Sequence, residues 1–273
     1  MTTEKSELRT IGQIVADDYR AAAIFKQAGI DFCCGGNKSI ELACSEKNLD
    51  AEKLTIELKE LELSSPGQHQ DFNNWELGFL ADYIMNTHHK YVLKTLPELV
   101  FYTKKIADAH GENHPELLEV ASLFSEINSE LRQHLKQEEE VLFPAIKEVM
   151  KSNASETKAT IVSEISRMSE EHEFAGGAMD KINEITNGYA LPEDACNTYR
   201  VAFKLLEEFE DDLHTHVHLE NNILFRMADQ MFSADEQQTL IDQFAVVESE
   251  ADPEFNAENS IAKIDFLASI YMQ

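Results

Sequence analysis

Two stretches of this chain, 82 residues apart, read almost alike: "ELRQHLKQEEEVLF" at 130–143 and "DLHTHVHLENNILF" at 212–225. Each has an acid, a leucine, two variable residues, His, three residues, Glu, two residues, and a Val/Ile-Leu-Phe triplet. His134 with Glu138, and His216 with Glu220, stand at i and i+4, so each pair projects from one face of an α-helix, one turn apart. The apolar triplet draws that neighbourhood towards a core, where an isolated carboxylate is very costly. The chain must therefore bury two His-Glu faces and ligate or pair their charges.

The rest of the sequence supplies helices to do so. Apolar residues recur at three and four nearly everywhere, and strand-like alternation is scarce. The period predicts a helix over 11–28, closed by Gly29, then the turn "DFCCGGNKS" and short helices over 39–47 and 50–62. "LSSPGQHQDFNN", 63–74, has linker composition. Four long patterns follow at about 75–109, 115–150, 160–187 and 192–231, with Pro97 and Pro144 expected to kink or end the first two locally. Four long helices joined by short loops predict an up-down bundle. Ser233 and Glu236 then make a capping-box start for a further helix, and 258–271 is a last amphipathic stretch. The expected organisation is an all-α chain with a small helical domain at 1–66, a four-helix bundle at 74–231 and an acidic helical extension at 232–273.

Two His-Glu helices offer two imidazoles and two carboxylates. The other two bundle helices carry "NTHHKYV" and "SEEHEFAGG". His89 to His134 spans 45 residues and His172 to His216 spans 44, so the bundle reads as two copies of one unit. His88 competes with His89, since the spacing differs by a single residue. A lone His-x-x-x-Glu is more often an exposed ion pair; two copies with matched flanks and matched single histidines point to a metal centre. Mixed imidazole and carboxylate donors suit iron, manganese or zinc. Two glutamates on facing helices can bridge two metals, a geometry that suits a di-iron pair with an open position. Glu130 and Asp212 lie one turn before the ligand histidines and are candidates to orient them from outside; solvent-facing acids are the competing reading. His214 and His218 sit about 200° round the helix from His216 and are expected at the surface.

Acids outnumber bases 51 to 23, for a formal charge of −28. That surface repels phosphate backbones and anionic membranes, so neither nucleic acid nor membrane is an expected partner. No run of 18 apolar residues and no apolar leader are present, and the four cysteines make no disulfide framework, so a reducing cytoplasmic setting is expected. Cys33 and Cys34 sit beside two glycines just before a helix, where a lowered thiol pKa would favour thiolate. Redox or iron-delivery thiols and small buried turn residues are both open readings. Cys44 and Cys196, isolated on helical stretches, are expected in the core.

With "DFCCGG", "HHKYVLKTLPEL", "HLKQEEEVLFP", "EEHEFAGG" and "HVHLENNILF", the chain resembles the iron–sulfur cluster repair di-iron proteins, also called repair of iron centres, from about residue 8 to 228. The resemblance implies a Cys-Cys-Gly-Gly N-terminal domain and a hemerythrin-like bundle. It also implies two iron ions in an oxo- and carboxylate-bridged centre held by His89, His134, Glu138, His172, His216 and Glu220. The implied function is repair of clusters damaged by nitric oxide or peroxide, by donating iron, with damaged iron–sulfur proteins as partners. Two alternatives are a hemerythrin-like sensor of O₂ or NO, and a di-iron enzyme that reduces NO; the sequence assigns no catalytic residue, and a homodimer is allowed. The chain departs from the family at Arg226, where a proline commonly follows Leu-Phe, and in residues 232–273, which extend past the usual end.

Overall fold

The computed structural model describes residues 9–63, 71–152 and 155–232. The expected extension beyond Phe232, with its capping box at Ser233 and Glu236, and most of the expected linker lie outside the described residues. Among the described residues all regular structure is helical, apart from a single antiparallel bridge between Thr10 and Ser39. None of these helices is long and apolar enough to cross a membrane. By internal contacts the chain divides into two units, 1–76 with 217–273, and 77–216.

In the first unit, α1 (Ile11–Asp17) starts at Thr10, whose hydroxyl accepts from Gln13 N while Gln13 Oε1 accepts from Thr10 N. This reciprocal capping satisfies two donors that would otherwise be orphaned. The single helix expected over 11–28 is in fact two. Asp18 turns to extended backbone (φ −146°, ψ 99°), and its carboxylate accepts from Arg20 N at 3.1 Å and Arg20 Nε at 2.9 Å. A short acidic side chain that satisfies nearby donors itself offers the backbone an alternative to the helix. α2 (Ala21–Gln27) then ends, as expected, at Gly29 with φ +66°. Ser39 caps α3 (Ile40–Lys47), and Asp50 Oδ1 accepts from Glu52 N and Lys53 N at the start of α4 (Ala51–Leu63). Ile11, Val15, Phe25, Phe32, Cys44 and Leu54 are buried. The end of the last helical run, 217–232, belongs to this unit.

The second unit holds α5 (Leu77–Ile84), α6 (Lys90–His110), α7 (Glu116–Gln137), α8 (Phe143–Ser152), α9 (Ser155–Ile185) and most of α10 (Asn197–Leu219). α5 continues into α6 and α7 into α8, so the unit is a set of four long helical rods, with α6 on α7 and both α7 and α8 on α9. Their inward stripes carry Leu80, Ile84, Leu96, Leu99, Val120, Phe124, Ile127, Ile165 and Ile182, all buried. α10 starts at Asn197 rather than near 192, because a turn with Ala195 N donating to Pro192 O occupies the preceding residues. Pro97 lies inside α6 without ending it, and Pro144 is the second residue of α8.

Candidate metal centre

Three of the long helical runs contain a π-helical turn: Met85–His89, Glu138–Leu142 and Glu220–Phe225. A π turn accommodates an extra residue within a helix, shifts the side-chain register after it, and occurs often at functional sites. Here the first ends on His89, and the other two begin on Glu138 and Glu220. The three turns thus fall at the three points where the sequence places a ligand beside an apolar run.

His89, Glu138 and Glu220 are fully shielded at 0% exposure, and His134, His172 and His216 are buried with them. Glu138 Oε2 lies 3.4 Å from His89 Nε2 and 3.3 Å from His134 Nε2. His172 Nε2 is 3.0 Å from His134 Nε2, so two imidazole edges converge on one point. The rings of His89 and His216 are 5.0 Å apart, and Phe143 stacks on the His89 ring at 5.6 Å. The ligand atoms form two groups, His89, Glu138, His216 and Glu220 in one and His134, Glu138, His172 and Glu220 in the other, each spanning no more than 4.8 Å. Both glutamates occur in both groups.

Outside this ring, Glu139 Oε1 lies 2.9 Å from His89 Nδ1, and Glu171 Oε2 lies 2.7 Å from His134 Nδ1. An Nδ1–H that donates to a carboxylate leaves the Nε2 lone pair facing inward, the tautomer a metal ligand needs. Partial burial favours the neutral form of Glu171, but the His134 hydrogen bond and the nearby Arg167 guanidinium help to hold its carboxyl below the usual range. Neither acid was singled out in the sequence, although each is the immediate neighbour of a ligand candidate, in "EEE" and "SEEHEF". Asp212, by contrast, reaches His88 Nδ1 at 3.0 Å, and Glu130 is exposed. His88 is buried and stacks on the His216 ring at 5.6 Å, but it belongs to neither donor group.

Residues 80–228 match the family model described as "Hemerythrin HHE cation binding domain", and residues 7–62 match ScdA_N, a "Domain of Unknown function (DUF542)". The iron-sulfur cluster repair protein YtfE of Pectobacterium atrosepticum is 34% identical over 220 residues, covering 81% of this chain and 96% of that protein. YtfE of Yersinia pestis is 35% identical over 220 residues, with the same coverage of each chain. The iron-sulfur cluster repair protein ScdA of Staphylococcus haemolyticus is 34% identical over 215 residues, covering 79% of this chain and 95% of that protein. The chain belongs to the YtfE/ScdA family.

In this YtfE/ScdA member the Cys-Cys-Gly-Gly turn is organised by Asp31. One carboxylate accepts from Cys33 N at 2.8 Å, Cys34 N at 3.1 Å and Gly35 N at 2.7 Å, and Cys33 Sγ donates to it at 3.1 Å. The amides that would have favoured a thiolate are taken by an anion. Contact with Cys34 Sγ at 3.9 Å, burial, and the Asp31 charge push the Cys33 thiol well above its ordinary range, against the lowered pKa expected from the sequence. Asn222 Nδ2 donates to the carbonyls of Phe32 at 3.3 Å and Cys33 at 3.0 Å.

The surface position expected for His218 is also corrected. It is only 1% exposed, lies against Tyr19 and Phe32 with ring centroids 5.9 Å away in each case, and is pushed by burial down to about 4. His214 is half-buried, with Asp180 and Glu210 in reach of its ring. Cys44 is buried as expected, but Cys196 is exposed, because it precedes α10 instead of lying within a helix.

Proposed function

We propose that this chain holds two iron ions between its long helices and restores iron–sulfur clusters damaged by nitrosative or oxidative stress, by donating iron in the cytoplasm. His89 and His216 would serve one ion and His134 and His172 the other, with Glu138 and Glu220 common to both. The observation that carries this reading is the pair of donor groups that share the same two buried glutamates. Two carboxylates shielded from water need positive charge nearby, and four imidazoles alone supply little at neutral pH. Nitrogen and oxygen donors without thiolate fit iron and also zinc or manganese. The relatives YtfE and ScdA are named iron-sulfur cluster repair proteins, which favours iron and favours repair over gas sensing or NO reduction.

When bound, the ions supply the exchangeable iron that a damaged cluster lacks. The chain's residues do the rest. Glu139 and Glu171 hold His89 and His134 with Nε2 inward, and Phe143 shields the His89 ring from water. Cys33 and Cys34 are the candidate delivery or redox thiols. Because Cys33 rests protonated on Asp31, delivery requires that carboxylate to leave the loop amides.

Metal analysis with Mössbauer spectroscopy on the purified protein tests the centre: two antiferromagnetically coupled irons per chain are expected, and one zinc per chain would overturn the reading. Reactivation of an NO-bleached iron–sulfur enzyme tests the role. The double variant Cys33→Ser, Cys34→Ser should keep both irons yet lose reactivation. Full activity of that variant would make the two cysteines packing residues.

A further inference from the structure

The exposed cysteine, Cys196, belongs to a different unit from the Cys-Cys-Gly-Gly turn and has a partner of its own. Cys196 O accepts from Arg200 N at 3.1 Å, which makes Cys196 the N-cap of the 23-residue helix α10. Its sulfur takes the place of a capping oxygen and accepts from the backbone N–H groups of Tyr199 and Thr198. His110, the last residue of α6, brings Nε2 to 3.2 Å from that sulfur. The His110 ring leans on Tyr199 at 5.4 Å and on His114 at 6.4 Å. His114 is in turn fixed by Asp194 at 3.0 Å and Glu116 at 3.3 Å. The cluster thus draws on the end of α6, the start of α7, the 186–196 connection and the start of α10. Cys196 and His216 are separated by 20 residues of one helix, about 30 Å at the α-helical rise, so the cluster is distinct from the metal centre.

We propose that Cys196 and His110 form a nucleophilic pair that is oxidised by hydroperoxides, a modification site separate from the metal centre. The cysteine thiolate attacks the terminal oxygen of the peroxide; a sulfur–oxygen bond forms and the oxygen–oxygen bond breaks. The departing alkoxide, or hydroxide from hydrogen peroxide, takes the proton of the His110 imidazolium. Sulfur is oxidised to sulfenic acid and the peroxide is reduced to an alcohol or water. The elements that make a thiol reactive are all present: exposure, two helix N-terminal donors and an imidazole in hydrogen-bond reach. The Tyr199 amide first, then His110, lower this thiol to about 7, while Cys33 and Cys44 are both raised.

The test uses the full-length, metal-loaded protein and reads each cysteine separately by mass spectrometry. Iodoacetamide at pH 7 should label Cys196 at least about 10-fold faster than Cys44, with a rate midpoint near pH 7 rather than at the ordinary thiol value of about 8.5. Hydrogen peroxide followed by dimedone should place an adduct on Cys196, and Cys196→Ser, which keeps an N-cap, should abolish it. His110→Gln should move the midpoint upward and slow adduct formation about 3- to 10-fold at neutral pH. A parent midpoint near 8.5, an adduct on Cys34 in place of Cys196, or fast alkylation without any sulfenate would each overturn the proposal. If His110→Gln unfolds by circular dichroism, the parent pH profile and the adduct position decide the matter alone. If it folds with an unchanged profile, the imidazole has no part and the pair is refuted.

Discussion

Asn222 donates from Nδ2 to the Cys33 carbonyl at 3.0 Å, and it stands two residues past Glu220 in the same π turn. The amide fits because two glycines make room: a Cβ added at Gly12, or at Gly36, would collide with the Asn222 side chain. Gly12→Ala should therefore cost about 1–3 kcal/mol of stability, the usual range for overpacking. In an Asn222→Ala background the same change should cost less than about 1 kcal/mol, because the obstacle is gone. Urea unfolding of the four proteins measures the coupling, and strictly additive costs would show that the Asn222 amide is not what excludes a side chain at Gly12.

Glu138 and Glu220 belong to both donor groups, whereas His89 belongs to one. Glu138→Ala and Glu220→Ala should each lower iron content by more than His89→Ala does, approaching loss of both ions. Iron per chain by plasma emission spectrometry decides this. A loss no greater than that of His89→Ala would count against a shared carboxylate.

Glu171 and Glu139 touch His134 and His89 from outside the ring, while Glu130 is exposed. Glu171→Gln and Glu139→Gln should weaken iron retention in a chelator competition by about 10- to 100-fold, the usual effect of removing such a support. Glu130→Gln should leave retention within about 2-fold. If all three behave alike, general negative charge rather than imidazole orientation is what matters.

His218 is enclosed by Tyr19 and Phe32, and His214 is only half-buried. His218→Ala should destabilise the protein by about 2–4 kcal/mol, as emptying a buried ring site does. His214→Ala should cost about 1 kcal/mol or less, and its iron content should equal that of the parent. Thermal unfolding by circular dichroism separates the two, and equal midpoints would mean that the face of His218 is open to water.

The sequence alone determined that the chain is helical and which ligand candidates pair on one helix face. His134 with Glu138, and His216 with Glu220, share a helix face because the helical repeat is fixed by covalent geometry and backbone hydrogen bonds, and the 82-residue offset displayed that pairing twice. Gly29 marked a helix end for the same local reason. What a face meets was beyond local reading. The sequence placed His218 about 200° from His216, but only the fold covers that side with Tyr19 and Phe32, residues nearly 200 positions away. The three π turns slip the register by one residue, and a search for a uniform period passes over them. His88 and His89 are neighbours in sequence, but the fold turns them to different acids, Asp212 and Glu139, and only His89 joins a donor group. Cys34, burial and the Asp31 carboxylate on the loop amides together cancelled the expected activation of Cys33, and His110, 86 residues away, supplied the partner that Cys196 lacked in the sequence. Spacing along a helix is set by the chain's own bonds, whereas burial, counter-charge and the state of a thiol are set by whichever distant side chains packing brings alongside.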